Sequence, residues 1–237
     1  MSSQNASFYD AGISRALLSP LKWLLYSVLL LLALIVFAWI IDCIFVFRVW
    51  PDGLATLTRT VANDVQRTDV LGGWHYKLHH LAVMTANALY EVLFKITGID
   101  AMASRFADGA PLSIPDTIAR DTYVSNYQVM RIAMTATQLF GIRLATLAMC
   151  MPFLVLMYSI GMADGFVQRA IRRLGGGHES ATLYHRAKYL QLALLSLAAA
   201  LFLILPITFD VRGPLVSSAA ISCLLSRYQW MFYKKHV

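Results

Sequence analysis

The chain is 237 residues long, 58% hydrophobic and only 14% charged, with a formal net charge of +7. A soluble domain that apolar could not cover its surface with polar side chains, so the composition excludes an ordinary soluble protein and points to the membrane. In a membrane protein, excess Lys and Arg mark the loops kept on the cytoplasmic side, so the charge reads as topology before it reads as nucleic-acid binding.

Residues 1–22 form a short polar lead, expected on the cytoplasmic side. From Trp23 to Phe47 the chain is apolar except for Asp42. About 20 apolar residues cross the hydrocarbon core, so 23–47 is the first expected span. The run exceeds the roughly 7–15 residue apolar core of a cleaved signal peptide and is expected to stay as an anchor.

Residues 48–133 are a polar interlude of eight basic and eight acidic residues, with no net charge to hold it inside. Leu54, Leu57, Val61 and Val65 recur at helical spacing, as do Trp74, Leu78, Leu81 and then Leu89, Val92 and Ile96. Gly72-Gly73 separates these two amphipathic helices, and Gly98, Gly109, Pro111 and Pro115 mark a loop after them. Pro115-Asp116 suits the first turn of a helix that leads back to the membrane. This segment is expected to be exported.

The second span is expected over 134–163, clearest from Leu144 to Ala163, with a kink at Pro152. Residues 164–188 carry Arg169, Arg172, Arg173, Arg186 and Lys188 against Asp164 and Glu179 alone. A third span follows at 189–209. The fourth, at 214–233, is weaker because it contains four serines and Arg227, and it ends in a 234–237 tail bearing Lys234 and Lys235. An interfacial helix there would leave three spans. Four spans put the N-terminal cations, the basic central loop and the terminal lysines on one side, as the positive-inside rule asks. The expected fold is therefore all-α: a polytopic membrane protein of four transmembrane helices, with amphipathic helices in the long exported loop and both termini cytoplasmic.

Several residue patterns bear on chemistry. Asp42 near the outer end of the first span and Arg143 at the outer start of the second fall at similar depth, which predicts an intramembrane ion pair unless Arg143 snorkels to the interface. His75 and His79 share a helix face beside His80, yet lack a third zinc ligand, and an interfacial helix explains them equally well. Gly175-Gly176-Gly177-His178-Glu179-Ser180 has neither the lysine and preceding strand of a phosphate loop nor the spacing of a nucleophile elbow. Ser180 beside His178 or His185 lacks an orienting third group apart from Glu179. The glycines read instead as a helix stop, followed by a new helix. Cys43, Cys150 and Cys223 lie in apolar runs as small fillers. No catalytic residue, metal or cofactor is assigned, and the protein is expected not to be an enzyme.

The better signal is the basic face, where Arg169, Arg172 and Arg173 take neighbouring positions of one helix. They suit anionic headgroups or an acidic partner. A DNA groove would need more cations and base-reading side chains.

The residues Asp164-Gly165-Phe166-Val167-Gln168-Arg169, Arg172-Arg173, Gly175 to Gly177, Glu179-Ser180 and Tyr184-His185-Arg186-Ala187-Lys188 resemble the pattern DGLVQRDLRR-GxGRESxxxYHxAK. That pattern marks a family of bacterial membrane proteins of unknown function encoded in integrating conjugative elements and related plasmids. Ala170 and His178 depart from it, where an acid and an arginine are usual. The resemblance implies an inner-membrane component of a conjugative type IV secretion system. Its docking residues would be Asp164, Gly165, Arg169, Arg172, Arg173, Gly175, Gly176, Gly177, Glu179, Ser180, Tyr184, His185 and Lys188. Expected partners are membrane lipids and other conjugation proteins, the coupling ATPase first among them, without sequence-specific nucleic-acid binding. The alternative function is an entry-exclusion protein acting in the recipient. Small residues at Ala198 to Ala200 and Ser217 to Ala220 would also let copies of the chain associate.

Overall fold

The computed structural model describes residues 3–69, 75–107, 126–176, 181–208 and 212–233, with the isolated positions 120–121, 124 and 210. The described residues form helices and turns, without a strand. Helix α1 (Ser3–Ile44) continues through a π turn, Phe45–Val49. Then come α2 (Leu54–Asp69), α3 (His75–Tyr90, extended by a π turn to Lys95) and α4 (Ile99–Ala107). Three more helices complete the chain: α5 (Tyr127–Leu174), α6 (Ala181–Ile204) and α7 (Arg212–Met231). The helix expected to start near Pro115 lies outside the described residues.

Three segments are long and apolar enough to cross a membrane: Lys22–Val49, Tyr127–Leu174 and Thr182–Ile204. The fourth expected span forms α7, but its serines, Gln229 and Arg227 keep it out of that group. Helix α5 has 48 residues. At about 1.5 Å per residue it is roughly 70 Å long, more than twice the ~30 Å hydrocarbon core of a bilayer. Pro152 sits inside it without ending it.

The N-terminal half of α5 is the hub for α1, α2 and α3. Ile35 and Ala38 of α1 pack on Phe140 of α5 and Leu203 of α6. Val46 and Leu57 pack on Ile132 and Leu139. Rising numbers in α1 meet falling numbers in α5, so the two run antiparallel, and Trp39 Nε1 donates to Thr137 Oγ1 at 3.0 Å. Helices α3 and α5 meet almost backbone to backbone: a Cβ added to Gly141 would lie 2.6 Å from Ala86 Cα.

The C-terminal half of α5 receives α7. Gly161 and Gly165, four apart on one face, form the seat. A Cβ on Gly161 would collide with the Cys223 carbonyl oxygen and the Ser226 hydroxyl, and one on Gly165 would lie 2.6 Å from the Arg227 oxygen. Small residues at this spacing let two helix backbones approach as closely as membrane helices do. The buried face of α7 is Ala219, Ser222, Ser226 and Gln229. Ser226 Oγ donates to the Tyr158 carbonyl at 3.0 Å, and Gln191 Nε2 of α6 donates to Ser222 Oγ at 2.9 Å. Ser222 and Ser226, two of the polar residues that weaken α7 as a span, thus point into the bundle and are hydrogen-bonded there.

Candidate functional site

The segment 164–188 is mostly helix. Helix α5 runs unbroken through Asp164 to Leu174, and Gly175 and Gly176 make the turn after it. Gly176 has φ +71, the left-handed conformation that glycine adopts at a helix end. The Gly175 and Gly176 amides donate to the carbonyls of Ile171 and Arg173 at 3.2 and 3.3 Å. Gly177, His178, Glu179 and Ser180 lie outside the described residues. Helix α6 begins at Ala181 with Tyr184, His185, Arg186 and Lys188 in its first turns.

The end of α7 comes back to this same place, and its aromatic residues engage the basic face. Asp164 Oδ2 lies 2.8 Å from Arg227 Nε. Gly165 packs against Arg227 and Trp230 of α7. Trp230 Nε1 donates to the Tyr158 hydroxyl at 3.0 Å, and its ring sits 4.8 Å from that of Phe166. The Arg169 guanidinium stands 5.3 Å from the Tyr233 ring centre and that of Arg172 4.1 Å from that of Phe232. Tyr184 meets Tyr233 edge to face at 5.4 Å.

The expected docking set therefore divides. Asp164 and Gly165 are engaged with α7, and Arg169, Arg172 and Tyr184 with Phe232 and Tyr233 just after it. Arg173, Gly175, Gly176, His185 and Lys188 are exposed, as is Arg186. The sequence reading missed Trp230, Phe232 and Tyr233. Aromatic residues gather where a spanning helix meets the headgroups, and that tendency was the available signal.

A second polar centre lies toward the other end of α5. Arg143 is 1% exposed. The expected ion pair joined it to Asp42, but the structure gives it Asp64 of α2, with Nε to Oδ2 at 2.9 Å. Its Nη1 donates to the carbonyls of Phe202, at 3.0 Å, and Leu205, and Nη2 donates to Ile207 at 2.9 Å. The physical reason is that α2 packs on α5 at this level, while the Phe202 carbonyl in the last turn of α6 and the Leu205 and Ile207 carbonyls just beyond it face the guanidinium. Five N–H donors in a planar fork suit one carboxylate and several carbonyls at once. Burial pushes the Asp64 carboxyl above the usual carboxylate range, against the opposing pull of Arg143 and Arg67. Asp42 is 2% exposed, and its Oδ1 has no hydrogen-bond partner among the described residues.

His79 Nδ1 lies 3.3 Å from Thr68 Oγ1, and the His75 side chain lies outside the described residues. Among the described residues no group of three or more His, Cys, Asp or Glu side chains is placed to hold a metal. The three cysteines are free thiols.

Residues 74–234 match the model of the DtrJ-like family, described as IncC plasmid conjugative DNA transfer protein DtrJ-like. The match covers well over half of the chain, which belongs to this family, and it ties the protein to conjugative DNA transfer. It spans Arg143 and the whole of 164–188, whereas Asp42 and Asp64 precede it. Comparison with curated proteins and with solved structures finds no match.

Proposed function

We propose that this member of the DtrJ-like family serves conjugative DNA transfer as a non-enzymatic, four-span subunit of the bacterial inner membrane. It would belong to a type IV secretion apparatus and dock a partner of that machinery, the coupling ATPase being the foremost candidate, through its basic end. The carrying observation is the convergence of α5, α6 and α7 at the Gly175-Gly176 turn, where Arg173, Arg186 and Lys188 are exposed. Cations held by a fixed helical frame suit an acidic protein surface and speed encounter with it.

The four-span reading draws support from α7. Its polar residues Ser222, Ser226 and Gln229 are buried, while Val216, Ile221, Leu224 and Tyr228 are exposed. Inward polar groups and an outward apolar face are what a hydrocarbon solvent demands. The basic end then lies on the cytoplasmic side by the positive-inside rule.

Arg169 and Arg172 are poor choices for a test, because changing them also unfastens α7. The variant Arg186→Glu with Lys188→Glu leaves that clasp untouched. It should lower transfer frequency and recovery of the partner from membranes, with the protein itself at its normal level. Unchanged transfer and recovery would sink the docking reading.

A further inference from the structure

Between α5, α6 and α7 lies a cavity of about 350 Å³, open on one side. Leu147, Cys150 and Met151 form part of one wall, Ala198 and Ala199 another, and Ser218 contributes to the third. Its walls are almost entirely apolar. Gln191 and Ser222, which also line it, are hydrogen-bonded to each other at 2.9 Å, and the Tyr158 hydroxyl accepts from Trp230. The occupant is therefore apolar.

A second surface of this chain is bare. Residues 22–30 of α1 are exposed on every side, with Trp23 72%, Leu24 64% and Tyr26 63% exposed. Contact with the rest of the bundle begins only with Leu31, Leu34 and Ile35. Among the described residues, none of α1 lines the cavity.

The two surfaces share one depth. Helices α1 and α5 are antiparallel with Trp39 opposite Thr137. Counting down both helices at the same rise per residue puts Leu29 at about the level of Leu147 and Leu25 at about the level of Met151. Both of those α5 residues line the cavity. Rotation about the membrane normal preserves depth, so two copies related by a twofold axis along it can bring these surfaces together, and both contacts form at once.

We infer that the cavity receives the bare segment of α1, residues 22–30, from a second copy of the chain, giving a closed dimer within the membrane. Ala198, Ala199 and Ser218 keep parts of two groove walls low, leaving room for large side chains such as Trp23, Leu25, Tyr26 and Leu29 of the incoming segment. Without a hydrophobic driving force in lipid, such fit of large into small is what holds membrane helices together. This rests on α1, α5 and α6 spanning the bilayer.

Cys150 provides the test. Two differently tagged full-length forms are co-expressed. One keeps Cys150 alone (Cys43→Ala, Cys223→Ala), and the other lacks all three cysteines and carries Leu25→Cys or Leu29→Cys. A short bifunctional maleimide applied to native membranes should yield a band of dimer mass bearing both tags, lost when Ala198→Trp fills the groove. In the same membranes Cys150 should resist a membrane-impermeant maleimide until detergent is added. Labelling of Cys150 before detergent would overturn the spanning reading itself. A protected Cys150 without a mixed-tag band at either α1 position would overturn the dimer alone. So would a groove found filled by phospholipid in purified monomer, or a cross-link from Leu25→Cys to another protein in place of Cys150. Because the cross-link needs no groove variant, misfolding of Ala198→Trp cannot hide a negative result.

Discussion

Arg143 and Asp64 stand 2.9 Å apart across the interface of α5 and α2, and the same guanidinium holds the carbonyl of Phe202 in the last turn of α6 and those of Leu205 and Ile207 just beyond it. One side chain thus fastens the helix pair α2–α3 to α5 and to the end of α6. Breaking a buried pair by removing one partner costs roughly 3–5 kcal/mol, because the other charge is stranded. Arg143→Met should lower the thermal midpoint of detergent-purified protein sharply. Arg143→Lys should restore little of it, since an ammonium lacks the planar fork. A full rescue by Lys would show that only the charge matters.

Asp64 predicts a pH effect of definite sign. Its carboxyl is raised in the folded protein, so the native state holds that proton more tightly than the unfolded state does. The contribution of this group to stability is complete below about pH 4, the unfolded value, and is lost as pH rises through the folded one. Asp64→Asn should flatten the dependence of the unfolding midpoint in that window. An Asn variant with an unaltered pH slope would assign the effect to other groups.

At Gly161 and Gly165 the prediction is steric. Even Ala at Gly161 meets the Cys223 carbonyl, and Val would do so more severely, so α7 must shift. Overpacking of this kind costs about 1–3 kcal/mol. Gly161→Val should expose Cys223 to maleimide faster than in the parent protein, whereas Gly213→Ala, where a Cβ meets nothing and the backbone is not left-handed, should leave Cys223 as it is.

The arginine–aromatic contacts set a graded series. Arg172 over Phe232 is worth about 0.5–2 kcal/mol by general cation–π magnitudes. Arg172→Lys should retain part of it and Phe232→Leu should lose it, as read from protease trimming of the C-terminal end of α7. The Asp164–Arg227 pair is more than a third exposed on both sides, so its loss should cost no more than roughly 0.2–1 kcal/mol. A large effect of Asp164→Asn on stability would contradict this ordering.

Much of the helical framework was legible from apolar run length and period alone. Trp23 to Phe47, Leu144 to Ala163 and the helix after Gly175–Gly177 needed only the thickness of a bilayer and the conformational freedom of glycine. Two things were not legible. The partner of Arg143 depends on how the polar helix α2 folds back on α5, and depth along a span cannot reveal a carboxylate arriving from outside it. The basic face was visible as charge, but its coverage by Phe232 and Tyr233 depends on a contact between residues about 60 positions apart. No period in the sequence encodes that.

Helix α5 carries one further consequence. The α2–α3 pair grips it around Gly141 and Arg143, and the basic end stands on it some thirty residues away, with no joint but Pro152 between. A tilt or twist imposed at one end of such a rod must reappear at the other unless the proline absorbs it. The α2–α3 grip and the basic end are, for this protein, the two ends of a single lever, and Pro152 is its fulcrum.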